Sequence, residues 1–317
     1  MRLDVHQHIW TTPLIEVLAA RTELPFVRLR GGVAELHAAG ERPCAIDLNS
    51  QSPSRRTRLL DDDRIEQAVI ALSSPIGIEA LPRDAALAVI DAHLDGVTAL
   101  GNRFAAWGPV PLDNADPDDV DDVLTRGCIG ASMPAGALAT AGALHVAAPV
   151  LDRIAERDVP LFVHPGPGRR ANDLIADHEA PGYEPPWWQA LTGYVSQMQS
   201  AWLAFVTAGR PEHRKLRVIF SMLAGLAPMQ LERLYARGGA AAVAEDPAIF
   251  YDTSSYGPAA VSALGGIVGR RQLLYGSDRP VVEPSELGVN GTLDWQAIAE
   301  GTRDALERKP ATLVGLD

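Results

Sequence analysis

Two histidines near the start of the chain are the residues that point most clearly to chemistry. They lie in the run Asp4-Val5-His6-Gln7-His8. Alternate side chains of a β-strand point to the same face, so His6 and His8 would aim their imidazoles at one point. Neutral imidazole is a common protein ligand of zinc-like metals. Taken alone, the pair is also compatible with two surface or core histidines.

Two further polar residues follow apolar, strand-like runs. Leu161–Val163 leads into His164, and Leu273–Gly276 leads towards Asp278. Each signal is weak by itself, because a histidine at a strand end is often structural and an aspartate before a loop often caps a helix. Together with His6 and His8, they predict three imidazoles and one carboxylate around a single divalent metal.

These residues need a scaffold that brings distant parts of the chain together. Short β-type runs alternate with helical patterns, which is typical of βα units and a parallel sheet. The predicted strands are Leu3–His6, Gln67–Leu72, Phe104–Val110, Cys128–Ser132, Leu161–His164, Val218–Met222, Ile249–Asp252 and Leu273–Gly276. The predicted helices are Asp84–Leu100, Asp118–Leu124, Val146–Arg157, Ala190–Ala208, Ala227–Arg237, Pro258–Val268 and Trp295–Leu306.

The position of the polar residues favours a closed (β/α)8 TIM barrel over an open doubly wound sheet. Barrel active sites lie at the C-terminal ends of the strands. The four candidate ligands follow the first, fifth and last predicted strands, and the first and last strands can share a site only if the sheet closes. We therefore predict one α/β barrel domain over residues 1–317, with residues 11–62 as a loop and helical insertion at the barrel mouth.

Composition and charge argue against several classes of protein. The net charge of −12 and the pI near 5.1 disfavour binding to nucleic acid or to anionic lipid surfaces. No run approaches the ~20 apolar residues of a membrane-spanning helix. The two cysteines, Cys44 and Cys128, are too few for a disulfide framework or a zinc cage. We expect a cytoplasmic protein with a small-molecule substrate, and the sequence leaves a homodimer open.

The motifs Asp-x-His-x-His, Val-His-Pro and Gly-Ser-Asp-x-Pro, between Asp4 and Pro280, resemble the amidohydrolase superfamily. Within it, the chain is similar to the amidohydrolase-related group that includes aminocarboxymuconate-semialdehyde decarboxylase and its hydrolytic relatives. The resemblance implies that three histidines, His6, His8 and His164, bind the metal. It also implies that Asp278 binds the metal weakly and takes a proton from metal-bound water, whose pKa the metal lowers to ~7.

Two positions depart from the superfamily pattern. Many members carry a lysine at the end of the fourth strand that bridges two metals, whereas this chain has the segment 127–133 without lysine, which favours one metal. Members also carry a histidine at the end of the sixth strand, where this chain has Met222. A thioether accepts hydrogen bonds poorly and moves no protons. Asp278 would then act alone, unless His178 takes the place of the missing histidine.

Several residues near the predicted mouth could contact substrate. Trp187 and Trp188 could wall an apolar or planar ligand, although packing explains them equally well. Arg169 and Arg279 could pair with a substrate carboxylate through their planar guanidinium groups, or could simply be solvated. Met222 is placed to line the same pocket.

The sequence thus predicts a mononuclear metal-dependent hydrolase of a small ester, lactone or amide. Zn²⁺ is favoured by the histidine-rich ligand set, with Mn²⁺ or Fe²⁺ as alternatives. A non-oxidative decarboxylase on the same scaffold is the alternative enzyme, and a relative that has lost catalysis is a third interpretation. Asp252 and Ser255, after the seventh strand, would either hydrogen-bond the metal-binding histidines or cap the next helix.

Overall fold

The computed structural model describes residues 2–31, 33–168, 185, 187–239, 246–283 and 295–307. The strands in this part of the chain are β1 (Leu3–Gln7), β2 (Phe26–Arg30), β3 (Val33–His37), β4 (Cys44–Ile46), β5 (Gln67–Ile70), β6 (Phe104–Ala106), β7 (Gly108–Pro109), β8 (Ala131–Pro134), β9 (Pro160–His164), β10 (Arg217–Phe220), β11 (Ile249–Asp252) and β12 (Leu273–Leu274).

The α-helices span Thr12–Ala19, Pro53–Asp62, Arg83–Thr98, Asp118–Thr125, Ala141–Glu156, Trp188–Leu191, Gly193–Ala204, Arg210–Glu212, Leu231–Ala236, Pro258–Val268 and Trp295–Glu307. Shorter turns of 3-10 helix cover Ser74–Ile76, Ala135–Leu138, Met222–Gln230 and Arg270–Gln272, and a π-helical turn covers Phe205–Gly209. Among the helices described, none is long and apolar enough to cross a membrane.

Parallel strands form the wall of the barrel. Strands β1, β5 and β6 pair in that order, and β7 to β12 pair in sequence order. Strands β6 and β7 are two halves of one strand that is interrupted at Trp107, whose N–H donates to the carbonyl of Ile70 at 3.0 Å. The first and last strands also meet, because the Val5 N–H donates to the Tyr275 carbonyl at 2.9 Å and the Asp278 N–H donates to the His6 carbonyl at 2.8 Å. The predicted (β/α)8 barrel is therefore confirmed.

The apolar strand runs are buried on both faces, as parallel strands between a filled interior and a layer of helices must be. In β9, Leu161 and Val163 pack towards the helices, while Phe162 lies in the cluster that fills the barrel interior. Trp107 belongs to the same interior cluster and stacks on Phe162, with ring centroids 5.1 Å apart and an interplanar angle of 4°. Burying a large apolar side chain of this kind stabilises the fold by about 1.5–3 kcal/mol.

The insertion after β1 contains more regular structure than its sequence predicted. Besides its helices it holds a three-stranded antiparallel sheet of β2, β3 and β4. Val27 and Ala34 from this sheet pack in one cluster with Leu18 of the neighbouring helix. The alternation of Val27 and Leu29 with Arg28 and Arg30 is the signal for the first of these strands, but the run is only five residues long.

Most element boundaries differ from the prediction by one to four residues, and a few elements differ more. The fourth barrel strand is Ala131–Pro134 rather than Cys128–Ser132. The predicted helix over Ala190–Ala208 is interrupted at Thr192, whose backbone leaves the helical region with φ −121° and ψ −71°. Strand β10 ends at Phe220, because the chain enters a left-handed turn at Met222.

Candidate metal centre

Three histidines converge at the C-terminal mouth of the barrel. Nε2 of His8 lies 3.1 Å from Nε2 of His6 and 3.3 Å from Nε2 of His164. All three side chains are buried. Their ligand atoms lie within 4.8 Å of one another, which is close enough to hold one metal ion. The convergence expected from the alternation in β1 and from the end of β9 is present in the structure.

Each histidine is oriented by a hydrogen bond at its other ring nitrogen. Nδ1 of His6 lies 2.8 Å from Oδ2 of Asp252, Nδ1 of His8 lies 2.8 Å from the carbonyl of Ala71, and Nδ1 of His164 lies 2.8 Å from the carbonyl of Pro165. Since a carboxylate and two carbonyls can only accept, Nδ1 carries the proton in each ring. The Nε2 lone pairs therefore face the shared centre, in the arrangement that metal-binding histidines typically show.

A cation fits this set of donors. Neutral lone pairs that face one another at hydrogen-bond distance repel unless a proton or a metal lies between them. Three imidazoles and a carboxylate also form a donor set that suits Zn²⁺, Mn²⁺ or Fe²⁺. His6, His8 and His164 would hold the ion, with Asp278 beside it. Their role as metal ligands stays a prediction.

Asp278 lies at the edge of the histidine cluster. Its Oδ1 is 3.3 Å from Nε2 of His8 and 3.6 Å from Nε2 of His6. The hydroxyl of Ser255 donates to Oδ2 at 2.8 Å and so fixes the plane of the carboxylate. The backbone of Asp278 is left-handed, with φ 60°. Oδ1 thus faces the three histidines, while Oδ2 is held by the hydroxyl of Ser255.

In both Asp278 and His6, burial shifts the pKa in one direction and the neighbouring charges shift it in the other. Burial raises the pKa of Asp278, but the side chain of His8, whose Nε2 lies 3.3 Å away, and the positive charge of the neighbouring histidines lower that pKa to about 2. Burial lowers the pKa of His6, but the carboxylates of Asp252, Asp278 and Asp4 together raise it to about 9, with Asp252 contributing most. Burial and the two neighbouring histidines hold the pKa of His164 well below its ordinary value. At neutral pH without metal, these shifts favour a second proton on the His6 ring and an ionised Asp278.

Asp252 links the metal centre to the end of the sixth barrel strand. Its Oδ1 accepts the backbone N–H of Met222 at 3.0 Å and that of Ser254 at 2.9 Å, while Oδ2 accepts from His6. The helix after β11 has Gly257 as its N-cap, with no side-chain cap. Of the two roles considered for Asp252, the structure therefore shows the hydrogen bond to a candidate ligand.

The chain from Met222 to Leu226 forms an unusual left-handed turn, with φ between 49° and 63° at every position. A left-handed backbone costs about 1–2 kcal/mol for each non-glycine residue. Such strain persists where the surroundings fix it, and it often marks functional sites. Here the turn aims the Met222 N–H at Asp252, so the buried Met222 takes part in the site through its main chain.

Two buried charged residues support the centre although the sequence analysis assigned them no role. Asp4 accepts the N–H groups of His6 at 3.0 Å and Ser277 at 3.1 Å, and so joins β1 to the loop that carries Asp278. Arg56 donates to the His8 carbonyl at 2.8 Å. Asp4 belongs to the Asp-x-His-x-His motif. Arg56 lies in the insertion, 48 positions from His8, and no local sequence pattern indicates that the two residues meet.

The other residues with expected roles are less closely tied to the centre. Arg169 and His178 lie outside the described residues. Arg279 is buried, and its guanidinium pairs with Asp63 at 2.6 Å and Glu283 at 3.1 Å. A substrate carboxylate would have to compete with both of these partners.

Trp187 and Trp188 are 56% and 40% exposed, with ring centroids 6.0 Å apart. They are not packed into a core, and their contact with substrate stays a prediction.

The end of the fourth barrel strand carries Pro134, which pairs in register with His164. Proline offers no group to bridge two metals, so this geometry favours a single ion.

Comparisons with known proteins give matches at the level of structure. No family model and no curated protein sequence matches the chain. Metarhizium anisopliae IDCase has a TM-score of 0.70 at 18% identity, over 98% of this chain and 93% of that one. The 5-carboxyvanillate decarboxylase LigW from Sphingomonas paucimobilis has a TM-score of 0.71 at 14% identity, over 96% and 98%. The chain shares the fold of these enzymes.

The same fold also occurs in a 5-carboxyvanillate decarboxylase from Novosphingobium aromaticivorans, with a TM-score of 0.63 at 17% identity over 98% of this chain and 91% of that one. That enzyme was crystallised with manganese and 4-hydroxy-3-methoxy-5-nitrobenzoic acid. The fold implied by the sequence motifs is thereby confirmed, and the histidine cluster occupies the barrel mouth, where active sites of this fold lie.

Proposed function

We propose that the protein is a metal-dependent, non-oxidative decarboxylase of the amidohydrolase superfamily that acts on a small aromatic carboxylic acid. Asp278 is the observation that carries the proposal, because it is the one carboxylate whose oxygen faces the three converging histidines among the described residues. The likeness to structures named as decarboxylases also supports it. The decarboxylase alternative is thus better supported than the hydrolase that the sequence favoured.

The chemistry requires few groups from the protein. The bond between the substrate carbon and its carboxylate breaks, carbon dioxide leaves, and the electron pair that stays on the carbon takes up a proton. His6, His8 and His164 would hold a divalent ion, whose positive charge would bind the substrate carboxylate and polarise it. Asp278 lies beside that point; because it is ionised at neutral pH, it would first take a proton from water at the barrel mouth and then deliver that proton to the carbon.

Met222 agrees with this assignment. Hydrolysis of an ester or amide needs a proton removed from water and a proton delivered to the leaving group, whereas decarboxylation needs one proton delivered to carbon. The end of the sixth strand offers the thioether of Met222, which moves no proton. A site whose proton carrier is Asp278 therefore suits decarboxylation, which needs only one proton delivered to carbon.

The proposal is tested by measuring both reactions on the same preparation. Purified protein loaded with Mn²⁺ or Zn²⁺ is assayed for carbon dioxide release from a panel of hydroxybenzoates and heteroaromatic carboxylates, and for hydrolysis of aryl esters and lactones. We expect carbon dioxide release that a chelator abolishes and that added metal restores. Ester or lactone hydrolysis without carbon dioxide release would instead support the hydrolase.

A further inference from the structure

Helix Pro53–Asp62 of the insertion buries an arginine on its inner face. The buried residues of this helix are Arg56 and Leu60, about one turn apart. Leu60 packs in the same apolar cluster as Leu18. Arg56 is only 1% exposed, and burial lowers the pKa of its guanidinium to about 10, so the group stays charged at neutral pH. A buried charge is costly unless polar groups surround it, so the partners of Arg56 show what it stabilises.

Arg56 binds the end of the strand that carries two of the candidate metal ligands. Its Nη1 donates to the carbonyl of His8 at 2.8 Å, and its Nη2 donates to Oε1 of Gln7 at 2.6 Å. The Gln7 side chain donates in turn to Oδ2 of Asp4 at 2.8 Å, and Oδ1 of Asp4 accepts the N–H of His6. One guanidinium therefore fixes the main chain at His8 and, through Gln7 and Asp4, the main chain at His6.

The same guanidinium also reaches the segment that carries Asp278. Its Nη2 lies 3.4 Å from the carbonyl of Arg279. That carbonyl accepts the N–H of His8 at 2.7 Å, and the N–H of Asp278 donates to the carbonyl of His6 at 2.8 Å. Arg56 thus lies where β1 pairs with the segment after β12, and it donates to a carbonyl on each side of that pairing.

Asp63, which follows directly after the helix, holds the Arg279 side chain. Nη1 of Arg279 donates to Oδ2 of Asp63 at 2.6 Å. Arg56 and Asp63 are about two helical turns apart, which places them on one side of the helix. Arg279 is therefore bound at its carbonyl by Arg56 and at its guanidinium by Asp63. Because Arg279 follows Asp278 in the chain, these two contacts restrict where the Asp278 carboxylate can lie.

We propose that Arg56 and Asp63 are positioning residues, which hold Asp278 at the distance from His6 and His8 that proton transfer requires. The inference rests on the proposed function for the role of Asp278 as the proton carrier. A carboxyl group has to lie within hydrogen-bond reach of the atom that it protonates, and a misplacement of about 1 Å can slow a reaction about 100-fold. The insertion helix is thus part of the apparatus that sets the rate, although it touches no reacting atom.

Two variants test the two contacts separately. Arg56→Lys keeps the positive charge, but an ammonium group cannot reproduce the planar arrangement of donors that reaches three acceptors. Asp63→Asn leaves Arg279 with Glu283, a partner whose side chain is 73% exposed. We expect each variant to lower kcat by about tenfold or more, and to keep KM and metal content within about twofold of the wild-type values.

Asp61→Asn is the matched control. Asp61 belongs to the same helix and pairs with Arg103 at 2.9 Å. The change removes an acidic side chain from the helix without touching Arg279, so kcat, KM and metal content should all equal those of the wild type. A kcat at the wild-type level in both Arg56→Lys and Asp63→Asn would overturn the proposal.

A double-mutant cycle separates positioning of Asp278 from a general loss of structure. If Arg56 acts through Asp278, Arg56→Lys should slow an Asp278→Asn variant by less than about twofold, because the group to be positioned is already gone. An equal loss of kcat in the presence and absence of the Asp278 carboxylate would overturn the proposal, since a structural effect does not depend on that carboxylate.

The absorption spectrum of Co²⁺-loaded protein gives a readout that is independent of turnover. Asp278→Asn should change the visible bands of the ion, because the carboxylate lies beside the converging histidines. Arg56→Lys and Asp63→Asn should shift these bands in the same direction, and Asp61→Asn should leave them unchanged. Wild-type spectra in both variants would overturn the proposal. The expected spectral shifts in a protein that releases no carbon dioxide would refute the proposed function alone.

Discussion

Nδ1 of His6 lies 2.8 Å from Oδ2 of Asp252, and both side chains are almost completely buried. This pair fixes the His6 ring so that Nε2 faces the other two histidines. It also explains why His6, rather than His164, holds a proton in the absence of metal. The strength and pH dependence of metal binding should therefore depend on Asp252.

Replacing a candidate ligand should deplete the metal, whereas replacing Asp278 should not. His6→Ala and His164→Ala each remove one of three converging nitrogens, and we expect less than about a tenth of the wild-type metal content, in line with the dependence of metal sites on their ligand sets. Metal content after dialysis, measured by mass spectrometry, checks this. His145→Ala is the control, because His145 is exposed on its helix. Full metal occupancy in both variants would show that His6 and His164 do not bind the metal.

Asp278→Asn should keep most of the metal and lose activity. The amide keeps the shape of the side chain and can still accept the hydrogen bond from Ser255, but it cannot carry a proton to carbon. We expect a loss of kcat of about 10²–10⁴, the usual contribution of a positioned acid or base. Steady-state kinetics and metal analysis of the same sample check this. Turnover at the wild-type rate would show that another group carries the proton.

Asp252→Asn should weaken the metal site without removing a ligand. An amide can present its N–H₂ group to His6, which would favour the wrong tautomer, and loss of such supporting contacts commonly weakens metal affinity about 10–100-fold. Competition with a fluorescent chelator measures the change. Asp152→Asn is the matched control, because Asp152 lies 2.8 Å from Nδ1 of His213, a histidine that is not among the three converging ones. Equal affinities for Asp252→Asn and wild type would contradict the role of the pair.

Metal affinity should rise with pH across the neutral range. The pKa of His6 is raised to about 9, so the metal has to displace a proton from His6 at any lower pH. Between pH 6 and 8 we expect an increase of about tenfold per pH unit, and a plateau above about pH 9. Metal titrations at several pH values measure the slope. In Asp252→Asn, where the largest of the charges that raise the pKa of His6 is gone, the slope should be shallower. An affinity independent of pH in the wild type would refute the assignment.

Met222→His should change the rate more than the metal content. Asp252 is held by the main-chain N–H of residue 222, which any side chain preserves, and histidine is among the residues that adopt a left-handed backbone more readily. We expect metal content close to wild type and a change in kcat, because the new imidazole adds a group that can move protons. If neither quantity changes, the side chain at this position is not part of the active site.

The convergence of the histidines could be predicted from sequence because it depends on local rules. Alternation in β1 places His6 and His8 on one side, and the C-terminal ends of parallel strands share one mouth, which adds His164 and Asp278. The left-handed turn at Met222 could not be predicted, since nothing in Val218–Met222 separates a longer strand from a turn. Packing against a distant helix fixes that conformation.

Contacts between segments far apart in the chain escaped prediction for the same reason. The approach of Arg56 to the His8 carbonyl and the hydrogen bond between Tyr194 and Glu41 join parts of the chain that have no shared periodicity. The antiparallel sheet of the insertion was missed because its strands are short and carry charged residues such as Arg28 and Glu35. Local patterns predict which elements form, whereas tertiary packing decides which of their side chains meet.

The hydrogen bonds that join β1 to the chain after β12 have a consequence for how the protein folds. Val5 and Tyr275 are far apart in the sequence, and the entropy lost in joining such distant segments must be offset by the pairing itself. His6, His8 and Asp278 lie next to these hydrogen bonds. A chain in which β1 has not met the end of β12 therefore offers no complete set of metal ligands, and a bound ion would stabilise the folded state by mass action.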